Sequence, residues 1–317
     1  MRHRIYDSLE QMPVVIEPEQ DGSRSLDTLL AWCAEQRAWL DDTIHSQGAL
    51  LFRGFDIETS ADFNRFAGAQ GGDLQNYVGG DSPRNEVDNK VYTSTEFEAD
   101  LEIYLHNELS YAGWYPSRVF FFCQVAPGGG GQTTIGDSRQ IFETMRPDIA
   151  DKFSKKGVAY IQNLHGGEGF GKSWQQTYET DDPAVAEAHC RAHDVEFKWT
   201  DYGLWTRIVR CGVIEHPVTG ARAWFNQADQ LHALLASARV DPAAAHDLDE
   251  ERWPCHATYG DGTEITPEEL QEIRRVFTEV EVLFPWAEGD VLMLDNLITA
   301  HGRKPFQGER RVLVAMS

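Results

Sequence analysis

The chain has 317 residues, 41% of them hydrophobic and 25% charged, a composition that supports a globular fold with a sizeable core. Its formal charge of −23 argues against nucleic acid and anionic membrane surfaces as partners, since both select for clustered Lys and Arg. No apolar run nears the roughly 18 residues of a spanning helix, and no secretory leader is expected because an acidic, broken segment follows Arg4. Five scattered cysteines without a CxxC pair point to reduced thiols and a cytoplasmic setting.

In chain order, Ser25–Gln47 reads as one helix, with Leu26, Leu29, Leu30, Cys33, Leu40 and Ile44 at helical spacing and Gly48 as its stop. Ala49–Phe55 reads as a buried strand, and a short helix starting at Ser60 presents Phe63, Phe66 and Ala67. From about 90 to 125 the pattern becomes β, with strands expected at Val91–Thr95, Ile103–Ser110 and Arg118–Val125. Helices follow at Ser138–Met145 and Pro147–Lys155, then a strand at Val158–Leu164 and a mobile glycine-rich loop at His165–Ser173, whose first part, His165–Glu168, reads as an active-site lid. Pro183–His193 and Pro267–Val282 are helical by pattern, the latter opened by Thr266. Leu204–Glu215 and Ala221–Gln227 flank a hairpin turn at 216–220, and the tail returns to strand at Asp290–Asp295 and Arg310–Met316. With no repeat or linker in view, the chain reads as a single β-rich domain over residues 1–317. An N-terminal helix and strand occupy 25–55, the core about 90–316, and a helical insertion about 170–285.

Several short patterns carry chemistry. In an extended strand, Tyr104, His106, Glu108 and Ser110 share one face, so an imidazole and a carboxylate stand together opposite Ile103, Leu105 and Leu109. Taken alone, such a His-x-Glu triplet is most often a solvated surface pair. His301 follows the apolar Val291–Leu294 stretch, and with His106 and Glu108 it completes two imidazoles and one carboxylate, the facial set of non-haem Fe(II) oxygenases. Arg310 and Arg311 open an apolar strand, so one of them must point inward, where a planar guanidinium suits a dicarboxylate; an exposed edge pair is the alternative. The Gly128–Gly131 run before Thr133 permits close backbone approach, without the lysine of a P-loop.

Competing sites are weaker. His189 and His193 stand at i and i+4 without a His-Glu-x-x-His pattern, and a solvated helix face is the commoner reading. Pro254-Cys255 lacks the second cysteine of a zinc deaminase, and no Gly-x-Ser-x-Gly elbow is present.

The order His-x-Glu, Gly-Gly-x-Thr, Asn-x(4)-His-Gly-Arg and Gly-x-Arg resembles the Fe(II)/2-oxoglutarate dioxygenases of the taurine dioxygenase and clavaminate synthase group. Supporting segments are Leu51–Phe55, Tyr92–Glu96, His216–Gly220, Trp224–Asn226, Gly289-Asp290 and Asp295-Asn296, so the resemblance covers about 45–316. It is nearest to amino-acid hydroxylases of bacterial natural-product pathways. The resemblance implies a double-stranded β-helix (jelly-roll) core flanked by helices, Fe(II) held by His106, Glu108 and His301, and 2-oxoglutarate and O2 as co-substrates. It implies that Arg310, or Arg311 if the register shifts by one, grips the distal carboxylate with Thr133 assisting. Gln75, Tyr77 and Asn226 fall in segments that line the substrate side, with packing or capping roles as the alternative. Halogenating members lack the carboxylate ligand, so Glu108 implies oxygenation. The expected reaction hydroxylates a C–H bond of an amino acid or related metabolite, releasing succinate and CO2. Desaturation or epoxidation, a substrate tethered to an acyl or peptidyl carrier protein, a silent metal-binding jelly roll and a zinc hydrolase are the competing readings.

Overall fold

A computed structural model describes residues 1–5, 12–19, 21–76, 85–94, 98–169, 171–233 and 253–317. The N-terminal part contributes strands β1 (Arg2–Ile5), β2 (Val14–Glu17) and β3 (Ala49–Phe52) with helices α1 (Leu26–Glu35), α2 (Arg37–Gln47) and α3 (Ser60–Gly71). Next come β4 (Glu86–Asp88), β5 (Val91–Thr93), β6 (Ile103–His106), β7 (Arg118–Val125), β8 (Gly129–Gly130) and β9 (Thr133–Asp137). Helices α4 (Ser138–Thr144) and α5 (Pro147–Lys156) lead into β10 (Val158–His165), α6 (Trp174–Tyr178) and α7 (Pro183–Ala192). Strands β11 (Glu196–Trp199), β12 (Gly203–Arg210), β13 (Val213–Glu215) and β14 (Arg222–Trp224), helix α8 (Ala228–Leu231), β15 (Cys255–Tyr259) and α9 (Pro267–Val280) follow. The chain closes with β16 (Val282–Phe284), β17 (Val291–Asp295), β18 (Thr299–Arg303), β19 (Phe306–Gln307) and β20 (Arg311–Met316).

The architecture is mainly β with helices around it. An eight-stranded sheet runs β1-β2-β3-β17-β7-β20-β5-β4, and a four-stranded sheet runs β16-β9-β18-β6. Between them lies a core of Leu51, Phe121, Cys123, Leu292, Leu294 and Val314 from the large sheet against Ile135, Val282 and Phe284 from the smaller one. The opposite face of the large sheet offers Leu50, Phe52, Phe122, Met293 and Leu313 to Leu29, Ile44, Phe63 and Phe66 of α1–α3. Strands β3, β7 and β17 are thus covered on both faces, which explains why their sequences are unbroken apolar runs instead of alternating ones. A separate sheet, β11-β12-β10-β15, packs through Tyr160, Ala257 and Tyr259 against α5 and α9.

Most expected elements form at their expected places, and the differences have local causes. The 25–47 helix is two helices: Gln36 departs from helical geometry at φ −99°, ψ 17°, closing α1 and opening α2. The strand expected over 103–110 stops at His106, because residues 108–111 turn and Leu109 adopts φ 55°. Strands at 49–55 and 91–95 are shorter, ending at Phe52 and Thr93, and residues 95–97 lie outside the described set. At the end of β10, His165 accepts from the Gly167 N–H through Nδ1 and donates from Nε2 to the Gly171 carbonyl. Among the described residues, no helix is long and apolar enough to cross a membrane.

Candidate metal centre and co-substrate site

Antiparallel pairing of β18 with β6 sets His301 directly opposite His106. Their ring centroids lie 4.4 Å apart, and His301 Nε2 stands 3.4 Å from Glu108 Oε2. Glu108 reaches this position from beyond the strand end, so the turn, not strand alternation, aims its carboxylate inward. Glu108 and His301 are buried, and Phe121 closes against the His301 ring edge-on at 5.0 Å. The ligand atoms of the three side chains all lie within 4.8 Å of one another.

Two further clusters among the described residues share that spacing, His45–His216–Asp295 and His232–His256–Glu264. Hydrogen bonding separates them from the first. The His106 Nδ1 lies 2.9 Å from the Tyr104 carbonyl, which can only accept, so Nδ1 carries the proton and Nε2 keeps its lone pair for a cation. By contrast, His216 Nδ1 accepts the Thr219 N–H at 3.1 Å, which puts the proton on Nε2, where it is donated to Asp295. His45 donates to the same Asp295 oxygen. His256 is locked likewise, with Nδ1 accepting from the Ala233 N–H and Nε2 facing Glu264. The His45 cluster is thus a closed hydrogen-bonded network, and in the His232 cluster the carboxylate, Glu264, is exposed where Glu108 is buried. Among the described residues, the His106, Glu108 and His301 group sets two imidazoles and a buried carboxylate within ligand reach of one another, with His106 Nδ1 engaged by a backbone carbonyl, and this donor set fits Fe(II).

Two residues to which the sequence reading gave no role brace this corner. Asn296 is fully buried; its side chain accepts the Glu108 N–H at 2.7 Å and donates to the Glu108 carbonyl at 3.0 Å. Asn107, the unremarked middle of the His-x-Glu triplet, donates to the Asn296 carbonyl at 2.7 Å and to Ser138 at 3.1 Å. The available signal was composition: a buried-strand context makes a carboxamide costly unless it is hydrogen-bonded.

Of the two arginines, Arg310 turns inward and Arg311 is exposed. Arg310 donates to the Gly131 carbonyl at 3.1 Å and to Ser94 at 3.3 Å, and among the described residues no carboxylate pairs with it. Burial, reinforced by the like charge of Arg303, pushes its pKa down to about 10. A buried guanidinium so placed calls for an anion. Thr133, two residues beyond Gly131, is buried with its hydroxyl accepting from the Trp286 indole at 3.0 Å, which leaves its own O–H to donate elsewhere. The glycine run has a structural use: at Gly130 (φ 71°) a Cβ would meet the Pro305 carbonyl oxygen at 2.2 Å, so β8 can lie against β19 only with a glycine at that position.

Of the residues expected on the substrate side, two lie among the described residues. Asn226 is buried, with its amide on the Gly212 carbonyl and its oxygen on the Ala228 N–H, which is the capping alternative. Gln75 is exposed beyond α3 and bonds to the Asp73 carbonyl, and Tyr77 lies outside the described residues. His189 and His193 stack at 4.5 Å without a third donor among the described residues.

Two facing imidazoles and a buried carboxylate, with a family match over most of the chain, make this a non-haem iron, 2-oxoglutarate-dependent dioxygenase. The chain belongs to the taurine catabolism dioxygenase TauD, TfdA family, whose model matches residues 8–316. Dapdiamide synthesis protein DdaC of Enterobacter agglomerans is 34% identical over 278 residues, 87% of this chain and 84% of that one. A clavaminate synthase-like protein of Arabidopsis thaliana is 31% identical over 324 residues, covering 98% of this chain and 94% of its own. Among solved structures, PvcB of Pseudomonas aeruginosa superimposes with a TM-score of 0.57 at 17% identity, over 99% of this chain and 90% of that one. AAD-2, solved with Mn(II) and N-oxalylglycine, gives 0.54 at 13% identity, over 99% and 96%.

Proposed function

We propose that His106, Glu108 and His301 hold Fe(II), that Arg310 with Thr133 grips the distal carboxylate of 2-oxoglutarate, and that the enzyme hydroxylates a small amino acid or a derivative of one. The observation that carries this reading is the convergence of His106, Glu108 and His301: their ligand atoms lie within 4.8 Å of one another, His106 Nδ1 is engaged by a backbone carbonyl, and the carboxylate is buried. When bound, Fe(II) with 2-oxoglutarate and O2 supplies an oxidant able to replace an unactivated C–H hydrogen by hydroxyl, with release of succinate and CO2. Three protein donors leave the remaining coordination positions to the co-substrates. Arg310 is the residue that orients the keto acid, because its buried charge lacks a carboxylate partner among the described residues in a chain that is strongly acidic overall. Arg311, exposed at the start of β20, has no part in this reading.

An amino-acid substrate is supported by the likeness to DdaC, whose name places it in dapdiamide synthesis. A carrier-tethered form of the same substrate is the second reading. The facing sheets, which share one core, support a jelly-roll core and a single unit over 1–317. Five cysteines without a disulfide support a reducing, cytoplasmic setting. The test is succinate formation across a panel of free amino acids and their carrier-bound thioesters. Turnover of a free amino acid supports the reading, turnover of thioesters alone moves it to the tethered form, and succinate from neither overturns it.

A further inference from the structure

The strand ladder that fixes His106 ends at that residue, and Glu108 sits one step further, in a turn. There, a single side chain takes the ladder's place. Asn296 accepts from the Glu108 N–H and donates to the Glu108 carbonyl, as a neighbouring strand would, and it also donates to the Pro116 carbonyl at 2.9 Å. Asn107 returns the grip by donating to the Asn296 carbonyl, and Gln227 donates to the Asn107 carbonyl at 2.8 Å. On the other flank, Gln230 donates to the Tyr104 carbonyl at 2.7 Å, the oxygen that also receives the His106 proton. The brace is built wholly from carboxamides. They carry no charge at any working pH and bind divalent cations poorly, so they hold the main chain without competing for the ion.

We propose that Asn296 is a positioning residue that sets the Glu108 carboxylate opposite His301, and so fixes the affinity of the centre for a divalent cation. This rests on the reading of His106, Glu108 and His301 as metal ligands. Side chains that orient ligands from behind commonly account for about 10- to 100-fold in metal affinity, and a clamp on both main-chain groups of a ligand belongs in that range.

The test titrates Co(II) into the full-length, metal-free protein, following visible absorption of the bound ion, with circular dichroism and thermal melting run alongside. Wild type is expected to bind one equivalent, and Glu108→Ala to lose the absorption. Asn296→Ala is expected to stay folded and bind about 10- to 100-fold more weakly. Asn163→Ala is the control for stability: Asn163 is another buried amide tied to a backbone carbonyl, that of Trp253, and its loss should lower melting without moving cobalt affinity. Should Asn296→Ala fail to fold, Asn107→Ser withdraws the clamp at one remove and is expected to weaken binding severalfold. Wild-type binding with unchanged affinity in Asn296→Ala, or in Asn107→Ser if that is the folded variant, overturns the positioning role alone. Absence of cobalt binding by wild type overturns the metal-centre reading and this proposal with it.

Discussion

His106 and His301 are cross-strand partners, paired residue to residue in the β6–β18 ladder with their rings 4.4 Å apart. The spacing of the two imidazoles is therefore set by sheet geometry and does not depend on a loop. Replacing either by alanine should leave the ladder intact and remove one ligand. We expect succinate formation to fall by more than about 100-fold, because losing a ligand exceeds the cost of losing its supporting hydrogen bond. The same variants should lose the weak visible charge-transfer band that Fe(II) and 2-oxoglutarate give anaerobically, while keeping the far-ultraviolet dichroism of wild type.

Arg310→Lys keeps the charge but loses the planar fork. A charge-assisted hydrogen bond contributes about 1.5–3 kcal/mol, so the KM for 2-oxoglutarate should rise about 10- to 150-fold, with a smaller change in the KM of the primary substrate. Arg311→Lys, on the exposed side, should change neither. The pH dependence follows from the depressed pKa of about 10: the anion binds the protonated guanidinium, so affinity should decline once pH rises through that value. Equilibrium binding of 2-oxoglutarate between pH 8 and 11, in roughly half-unit steps, measures it.

Within the glycine run, neighbouring positions should respond differently. Gly129→Ala meets open space and should be nearly neutral. Gly130→Ala forces a Cβ to 2.2 Å from the Pro305 oxygen at φ 71°, and should cost about 1–3 kcal/mol of stability. Because the adjoining Gly131 carbonyl holds Arg310, the same change should weaken 2-oxoglutarate binding. Thermal melts of the pair, with and without 2-oxoglutarate, separate the two effects.

His232 stacks edge-on against His256 at 4.7 Å, and burial, with the neighbouring imidazole, lowers its pKa to about 4. In the unfolded chain it takes up its proton near pH 6.5, well before the folded protein does. Acid therefore favours unfolding between about pH 6.5 and 4, by roughly 2–3 kcal/mol at the lower end. His232→Gln should flatten that part of the stability profile. Urea titrations of both proteins at pH 7 and 4.5 give the comparison, and equal slopes would refute the assignment.

Much of the fold was legible because burial on both faces writes itself as unbroken apolar sequence. Arg118–Val125 and the Val291–Leu294 stretch were readable for that reason. The break at Gln36 was not, since the apolar spacing continues across it. The metal triad was found through strand alternation, which holds for His106 but not for Glu108, where the turn at Leu109 has already begun. Parity could not choose between Arg310 and Arg311 because the β20–β7 register shifts between Arg311 and Val312. Asn296, quoted only within the Asn-x(4)-His pattern, and Asn107 drew no role because their partners are distant in sequence: the Asn296–Glu108 bond spans 188 residues, and no local pattern encodes it.

That span has a thermodynamic side. A cation held by Glu108 and His301 would act as a cross-link closing most of the chain into one loop, and long loops lose the most freedom when they are stapled. Iron starvation would then do more than silence the enzyme. It would loosen β6 and the turn carrying Glu108 from β18, so that the empty protein should be cleaved by proteases sooner than the loaded one.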